Sequence, residues 1–259
     1  MPATDLPLLV EVALDAGKLA VGLANSSFDV WSKPDGEGPV TSVDLAVNEL
    51  LKTRLLNARR DYGWLSEESK DCRGRRNAKC VFVIDPIDGT RSFIDGSGTW
   101  AHSIAVAEQG LITAAVVYLP MLDKLYSAAK GRGATLNGKP VRVGKRTSLA
   151  GANVLAAKSG LAPERWKEGV PDVNRAFRPS LAYRLCLVAE GCFDATFTLG
   201  KTWEWDIAAG DLILREAGAA TSDRHGNPLV FNTSARRLEG MLAANPALHE
   251  ELRGGLNSR

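Results

Sequence analysis

Two aspartates, Asp85 and Asp88, stand three residues apart directly after an apolar run, residues 81–84. The run has the composition of a buried strand, which would hold the first carboxylate rigidly. Pro86 biases Asp85 away from the helical region and Gly89 permits the chain to turn, so both carboxylates can converge on one point. Because carboxylates that close repel each other unless a cation lies between them, the spacing predicts a cation site.

The ligands on offer in this segment are all oxygen atoms, namely two carboxylates and the carbonyl of Ile87. Such hard donors suit Mg²⁺, Mn²⁺ or Ca²⁺ rather than zinc. Thr90 adds a hydroxyl, and the amides of Gly89 and Thr90 could begin a helix, where backbone N–H groups can hold a phosphate oxygen. The alternative is an ordinary Asp-Pro turn with surface carboxylates. The apolar run before it and the Gly-Thr pair after it favour the site.

Two other acidic positions have similar surroundings. Glu67 and Glu68 follow a short apolar segment, although such a pair by itself is more often a solvated loop. Asp206 stands just before a helix of small and apolar residues, where it could cap the helix and keep a free lone pair for a metal. These residues are therefore further candidates for the cation site.

The elements that would position these residues follow from periodicity. Apolar residues from Leu6 to Leu23 recur at helical spacing, and Thr41 and Asp44 predict a capping box for a second helix that ends near Arg59. Both helices are expected before any sheet. Strands are then predicted at residues 80–84, 103–108 and 112–119, paired antiparallel, with a hairpin turn at Asn137-Gly138.

After about residue 144 the pattern alternates between strands and helices, which is typical of an α/β arrangement. We therefore expect a first half at residues 1–145, which contains Glu67 and the Asp85 segment, and a second half at residues 146–259, which contains Asp206. Strands are predicted at residues 154–156, 193–198 and 241–243, and helices at residues 181–190 and 206–217.

The bulk composition gives the class of protein. The chain has 259 residues, of which 45% are hydrophobic, and its net charge is +2. This indicates a folded protein, and no overall field favours a nucleic-acid polymer or an anionic membrane as partner. No secretory signal or membrane-spanning run is evident, so a cytoplasmic location is expected. The four cysteines and three histidines lack zinc-site spacing.

Several motifs in one order closely resemble the inositol-monophosphatase superfamily of lithium-sensitive, magnesium-dependent phosphatases. The resemblance covers nearly the whole chain and implies a layered α-β-α-β-α sandwich of α+β and α/β character. The matching motifs are L-S-E-E-S at 65–69, D-P-I-D-G-T at 85–90, G-R-G-A-T-L-N-G-K-P at 131–140, C-L-V-A-E-G at 186–191 and W-D-I-A-A-G at 205–210.

The resemblance also implies a role for each matching residue. Glu67 would bind a metal and help activate the attacking water, while Asp85 would bridge two metals, with the Ile87 carbonyl on one of them. Asp88 and Asp206 would hold a second ion. The cofactor would be two or three Mg²⁺ ions, with Mn²⁺ as a possible substitute.

The remaining implied roles concern the nucleophile and the phosphate. Thr90, hydrogen-bonded to Asp44, would help to deprotonate the water, and the amides of Gly89 and Thr90 would bind the phosphate together with Asp88 and Asp206. The partner would be a small-molecule phosphate ester, and homodimers are common among relatives.

The leaving group must be inferred from other segments. Inositol monophosphatases have a sugar-binding glutamate seven residues before the last metal aspartate, where this chain has Leu199. The segment 199–206 instead resembles the 3'(2'),5'-bisphosphate nucleotidases, and Arg184 falls where that branch has a lysine that could meet a second phosphate. A surface arginine is the alternative interpretation of Arg184. Trp203 and Trp205 could stack on an adenine or pack in the core.

We therefore predict hydrolysis of the 3'-phosphate of 3'-phosphoadenosine 5'-phosphate. Inositol monophosphatase activity is the first alternative, followed by fructose-1,6-bisphosphatase or histidinol-phosphatase activity. A basic loop at residues 73–79 could steer an anionic substrate or simply connect elements. An alternative of another class is a non-catalytic regulator that binds metal or phosphate without turnover.

Overall fold

The computed structural model describes residues 5–33, 36 and 38–257. Within them the helices are α1 (Leu6–Ala24), α2 (Ser42–Ala58), α3 (Thr90–Ile94), α4 (Leu181–Ala189), α5 (Glu204–Glu216) and α6 (Pro246–Gly255). Both predicted N-terminal helices are confirmed. Thr41 and Asp44 form the predicted capping box at the start of α2. None of the helices in the described part of the chain has the length and apolar character needed to cross a membrane.

The strands up to the middle of the chain form two sheets. The first is a small antiparallel pair, and the second is a seven-stranded sheet in the order β3-β4-β5-β6-β7-β8-β9. The first pair is β1 (Val30–Ser32) and β2 (Pro39–Thr41); the large sheet contains β3 (Gly63–Ser66), β4 (Cys80–Asp88), β5 (Ala101–Glu108), β6 (Leu111–Leu119), β7 (Lys124–Ala129), β8 (Ala134–Leu136) and β9 (Lys139–Pro140).

The expectation that two helices precede any sheet is wrong, because β1 and β2 pair between α1 and α2. Each of these strands has only three residues, so neither shows a periodic pattern. The expected antiparallel pairing of β4, β5 and β6 is confirmed. Asn137 and Gly138 both have positive φ, as the predicted hairpin turn requires.

The rest of the chain forms a five-stranded sheet in the order β11-β10-β12-β16-β14, and β13 pairs separately with β15. Strand β10 runs parallel to both of its neighbours, as in an α/β arrangement. These strands are β10 (Ala152–Ala156), β11 (Val173–Ala176), β12 (Ala195–Thr198), β13 (Thr202–Trp203), β14 (Ala220–Ser222), β15 (Arg237–Leu238) and β16 (Met241–Ala244).

The layers follow from which elements touch. Helices α1 and α2 cover one face of the seven-stranded sheet, α4 and α5 lie between that sheet and the five-stranded sheet, and α6 contacts β14 and β16. This is the predicted α-β-α-β-α sandwich. The central buried cluster draws Val117 from the large sheet, Leu185 and Ile213 from the middle helices and Ala243 from the second sheet. The division into residues 1–145 and 146–259 stays a prediction.

Candidate active site

The two aspartates of β4 lie beside an irregularity in its pairing with β5. Asp85 pairs with Ser103 whereas Asp88 pairs with Ala101, so three steps on β4 oppose two on β5. In a regular strand residues three apart point to opposite faces, and one extra residue brings them back to the same side. The strand thus continues past Asp85, and the bulge lets both carboxylates face one cavity.

The end of the bulge is shaped by two further residues. The buried ring of His102 donates a hydrogen bond from Nδ1 to the carbonyl oxygen of Pro86, which holds the bulged backbone. Gly89 has a φ of +98°, a conformation that side chains with a Cβ rarely adopt, and α3 begins immediately after it. The predicted start of a helix at Thr90 is therefore confirmed.

Glu67 reaches the same cavity from the neighbouring strand. Strand β3 runs parallel to β4, and the Glu67 amide donates to the Ile84 carbonyl oxygen at 3.2 Å. The carboxyl ends of parallel strands meet at one edge of a sheet, so Glu67 and Asp85 lie side by side where their strands leave the core.

Asp206 is supplied by the second half of the chain, from the first turn of α5. The expectation that it caps this helix is wrong, because α5 begins at Glu204, and its N-cap residue is Trp203. The Glu204 side chain accepts hydrogen bonds from the backbone amides of Asn232 and Thr233, so the first residue of the helix is held by a distant segment. The Ser103 hydroxyl donates to the Trp205 carbonyl oxygen at 2.9 Å, which ties this turn to the strand opposite Asp85.

The four carboxylates Glu67, Asp85, Asp88 and Asp206 line one cavity of about 520 Å³. Asp85 is only 2% exposed, and its Oδ1 atom has no hydrogen-bond partner among the described residues. Burial raises the pKa of its carboxyl well above the usual value, and the charges of the other three acids raise it further. A buried acid without donors is destabilising by itself, so the donor set fits a cation.

The other two aspartates differ in their partners. Asp88 Oδ2 accepts hydrogen bonds from the Ser180 hydroxyl and the Ala182 amide, both at 2.6 Å. Burial raises the pKa of the Asp88 carboxyl, although these bonds oppose the rise. Burial also raises the pKa of Asp206 well above its usual value, followed by the charge of Asp88. Asp88 therefore also joins β4 to the start of α4.

Thr90 and Asp44 meet at the edge of this cavity, as predicted. The Thr90 hydroxyl lies 3.2 Å from Asp44 Oδ1 and 3.2 Å from the Ile87 carbonyl oxygen. It has one proton and can donate to only one of these acceptors at a time. Asp44 Oδ2 accepts from the Thr41 amide at 2.9 Å, so the capping box of α2 also orients this acid.

Lys33 is a residue of the site that sequence reasoning missed. Its ammonium lies 2.6 Å from Glu67 Oε1 and 2.6 Å from Glu68 Oε1. Burial would lower the pKa of Lys33, but the charge of Glu67 and its hydrogen bonds raise it above the usual value. The pair is separated by 34 residues, so no local spacing could have revealed it.

The Lys33 contacts bear on how a metal would enter. Burial, followed by the charge of Glu67, raises the pKa of Glu68 to about 7. Among the described residues, no three acidic, histidine or cysteine side chains are already arranged around one point as ligands. A metal at this site would compete with Lys33 for the Oε1 atom of Glu67.

Arg184 lines the same cavity and is not a surface residue, because only 9% of it is exposed. Burial lowers the pKa of its guanidinium, an effect opposed by the charges of Asp88 and Asp206. The guanidinium carbon lies 5.0 Å from the centre of the Phe177 ring. A buried cation beside the acidic cluster is suited to an anionic substrate.

The aromatic pair expected to stack on an adenine is already occupied. Trp203 and Trp205 stack with ring centres 4.7 Å apart, and the Arg237 guanidinium lies 3.6 Å from the Trp203 centre. A stacked ring and a guanidinium this close cannot share one face, so both faces of Trp203 are covered. The position of these rings favours the packing interpretation.

In the basic loop, residues 73–79, the central Arg75 has a structural role. Arg75 is buried, pairs with Asp71 at 2.7 Å and donates to the Thr233 carbonyl oxygen at 2.8 Å. This guanidinium is therefore used to join the loop to residues 232–233. The four cysteines are free thiols.

Comparisons with known proteins agree with this geometry. Residues 3–257 match the sequence model of the inositol monophosphatase family. Inositol-1-monophosphatase of Rhizobium meliloti is 32% identical over 233 residues, which cover 85% of this chain and 86% of that protein. Histidinol-phosphatase of Chlorobaculum parvum is 32% identical over 258 residues, which cover 96% of this chain and 95% of that protein.

Solved structures show the same fold. The suhB protein of Bartonella henselae superposes with a TM-score of 0.84 at 27% identity, over 97% of each chain. SaIMPase-II with 2'AMP bound gives a TM-score of 0.82 at 27% identity, over 96% of this chain and 91% of that one. Since the family match spans nearly the whole sequence, the chain belongs to the inositol monophosphatase family of phosphatases.

Proposed function

We propose that this protein is a magnesium-dependent phosphomonoesterase. The observation that carries the proposal is the group of four carboxylates around one cavity, where Asp85 Oδ1 receives no hydrogen bond from the part of the chain that the structure describes. Oxygen ligands of this kind suit Mg²⁺, and Mn²⁺ could replace it. Two or three ions would be held by the side chains of Glu67, Asp85, Asp88 and Asp206 and by the carbonyl oxygen of Ile87.

Metal ions at such a site supply two kinds of chemistry: they lower the pKa of water and stabilise charge on the leaving oxygen. The chain's own residues position the reactants. Asp44 Oδ1 accepts the Thr90 hydroxyl proton, so Thr90 Oγ1 can accept a proton from the attacking water. Glu67 assists as a second acceptor. The amides of Gly89 and Thr90, at the start of α3, bind a phosphate oxygen.

For the substrate we favour 3'-phosphoadenosine 5'-phosphate, whose 3'-phosphate would be removed. Arg184 provides a buried cation in the cavity wall for the second phosphate. Leu199, at the position of the sugar-binding glutamate, is buried in the cluster that packs against α6. SaIMPase-II was solved with 2'AMP and also with inositol monophosphate, so this fold accepts a nucleotide as well as an inositol phosphate.

Inositol monophosphatase activity is the second candidate, because inositol monophosphatases of more than one organism are similar to this chain. Histidinol-phosphatase activity has comparable support from one relative. All of these reactions use the same proposed metal site. The candidates differ only in which leaving group the wall near Arg184 accepts.

The decisive experiment offers purified protein and Mg²⁺ four substrates side by side: 3'-phosphoadenosine 5'-phosphate, inositol 1-phosphate, fructose 1,6-bisphosphate and histidinol phosphate. We expect the highest kcat/KM for the nucleotide. A large preference for inositol 1-phosphate would overturn our proposal of 3'-phosphoadenosine 5'-phosphate as the substrate. Retained activity in both Asp88→Asn and Asp206→Asn would overturn the metal site, and Mg²⁺ binding without turnover of any ester would point to a regulator instead.

A further inference from the structure

Phe177 is a large apolar side chain that stays exposed beside the catalytic cavity. It lies in the connection between β11 and α4, 46% of it is exposed, and it lines the cavity that contains Asp85 and Asp206. An exposed aromatic ring at a cavity mouth costs solvation free energy unless something covers it. No element among the described residues buries it.

The surrounding residues fix where this ring stands. Ser180, three residues later, is buried and donates to Asp88 at 2.6 Å, which anchors the segment to the catalytic strand. Arg178, the next residue, directs its guanidinium to the Phe193 ring, with 6.0 Å to its centre. Phe177 itself is in contact with the buried guanidinium of Arg184. The ring is therefore held next to the cation at the leaving-group end of the site.

The contrast with Trp203 makes Phe177 the better stacking surface. Both faces of Trp203 are covered, by Trp205 and by Arg237. Within the described residues, the ring of Phe177 is contacted by the Arg184 guanidinium, 5.0 Å from its centre, and nearly half of the surface of Phe177 is open. Flat heterocycles bind to such open aromatic faces without needing specific hydrogen bonds.

We infer that Phe177 is a specificity-determining residue, on whose ring a flat heterocycle of the leaving group rests while Arg184 pairs with an anion of the same group. This inference rests on the proposed phosphatase activity and narrows its substrate class to anionic nucleotides. A polyol ring has no π-face and gains little from this surface. Phe177 and Arg184 together therefore favour a leaving group that has both a flat base and a negative charge.

The test compares Phe177→Ala with Phe177→Tyr, which keeps an aromatic ring. Loss of a base-stacking surface should raise KM for 3'-phosphoadenosine 5'-phosphate about tenfold with little change in kcat. KM for inositol 1-phosphate should stay the same, and Phe177→Tyr should behave as the unmodified protein. Val230→Ala removes another half-exposed apolar side chain, one outside the cavity, and serves as the matched control.

A second measurement keeps the inference independent of the preferred substrate. If inositol 1-phosphate proves to be the better substrate, 2'AMP is used as an inhibitor of its hydrolysis. We expect Phe177→Ala to raise the inhibition constant about tenfold. An unchanged constant would overturn the role of Phe177 while leaving the phosphatase intact. A change of oligomeric state in sedimentation, with unchanged inhibition, would make Phe177 a subunit contact and also overturn it.

Discussion

Buried carboxylates occur in two regions of this molecule, and their surroundings differ. Glu204 and Asp211 belong to α5 and lie in the packed interior. Glu204 accepts hydrogen bonds from the Asn232 amide at 2.6 Å and from the Thr233 amide and hydroxyl at 2.8 and 2.6 Å. Asp85, in the proposed catalytic region, has an oxygen that accepts no hydrogen bond from any described residue.

The difference shows what each region is built for. Burial raises the pKa of Glu204, but its hydrogen bonds and the charge of Arg75 counter the rise. At Asp85 burial and the neighbouring carboxylates act in the same direction. A buried acid surrounded by donors stabilises the fold, whereas acids that face one another gain stability only from a ligand. At Glu204 and Asp85, which are both buried, the difference lies in the donors: Glu204 accepts three hydrogen bonds, and Asp85 Oδ1 accepts none from the described residues.

The largest expected effect is that of Asp85→Asn on catalysis. If Asp85 is the shared metal ligand we propose, its loss should lower kcat/KM at least about a hundredfold, or about 3 kcal/mol of transition-state stabilisation. The same change should raise the free energy of unfolding of the metal-free protein at pH 8, because it removes a buried charge that its neighbours repel. Steady-state kinetics and urea unfolding in chelator check the two effects.

The size of this stabilisation depends on pH. The folded-state pKa of Asp85 is raised above the unfolded value, so its protonated form is favoured in the native state and stability is lost as pH rises. The gain from Asp85→Asn should therefore shrink on acidification. A variant that is less stable than the unmodified protein in chelator at pH 8 would contradict the comparison.

Glu204→Gln should lower stability and leave catalysis nearly unchanged, the opposite of Asp85→Asn. The amide places a donor opposite the donors of Asn232 and Thr233, and we expect a loss of about 2–3 kcal/mol of unfolding free energy with or without Mg²⁺. The kcat of the folded fraction should stay within about threefold, since Glu204 does not line the cavity. Urea unfolding and active-site titration measure both quantities, and a selective loss of kcat would show that Glu204 belongs with the catalytic acids.

The sequence made much of this comparison predictable. Three local features precede or follow Asp85: the apolar run, Pro86 and Gly89. Their backbone preferences were enough to predict that the carboxylates of Asp85 and Asp88 converge at the end of β4. The capping box at Thr41 was likewise visible, because its two partners are three residues apart. The family resemblance added the layered sandwich, which periodicity alone would not give.

What the sequence could not show depends on contacts between distant segments. Lys33 meets Glu67 across 34 residues, and Glu204 meets Thr233 across 29. Helix α5 begins at Glu204, before Asp206, so the N-cap prediction for Asp206 failed. The sequence left open whether Arg184 is a surface residue or a site residue. Only the packing of α4 shows that it is buried.

A third kind of buried group is His102, whose Nδ1 atom is hydrogen-bonded and whose Nε2 atom has no partner in residues 5–33, 36 and 38–257. Burial lowers its pKa to about 4. The unfolded chain binds a proton near pH 6.5 and the native state does not, so stability should fall as pH falls from 6.5 toward 4. At pH 5 this amounts to about 2 kcal/mol.

The pH effect of His102 is isolated by difference. Urea unfolding of the unmodified protein and of His102→Asn is measured between pH 8 and 4.5. The buried carboxylates change the unfolding free energy with pH in the opposite direction, but they do so in both proteins, so the difference between the proteins reports His102. The free-energy gap between the two proteins should narrow on acidification. A constant gap would mean that His102 already carries its proton in the native state.

The smallest expected effect is protection by Mg²⁺, and it discriminates most clearly between the two regions. Mg²⁺ at ten times its dissociation constant should add about 1.4 kcal/mol, or about 3–5 °C in Tm. Glu204→Gln should keep the whole increment from its lower starting point, because its acid binds only protein donors. Asp85→Asn should lose most of it although its metal-free form is the more stable. Equal protection of both variants would place the ion away from Asp85, whatever the kinetics show.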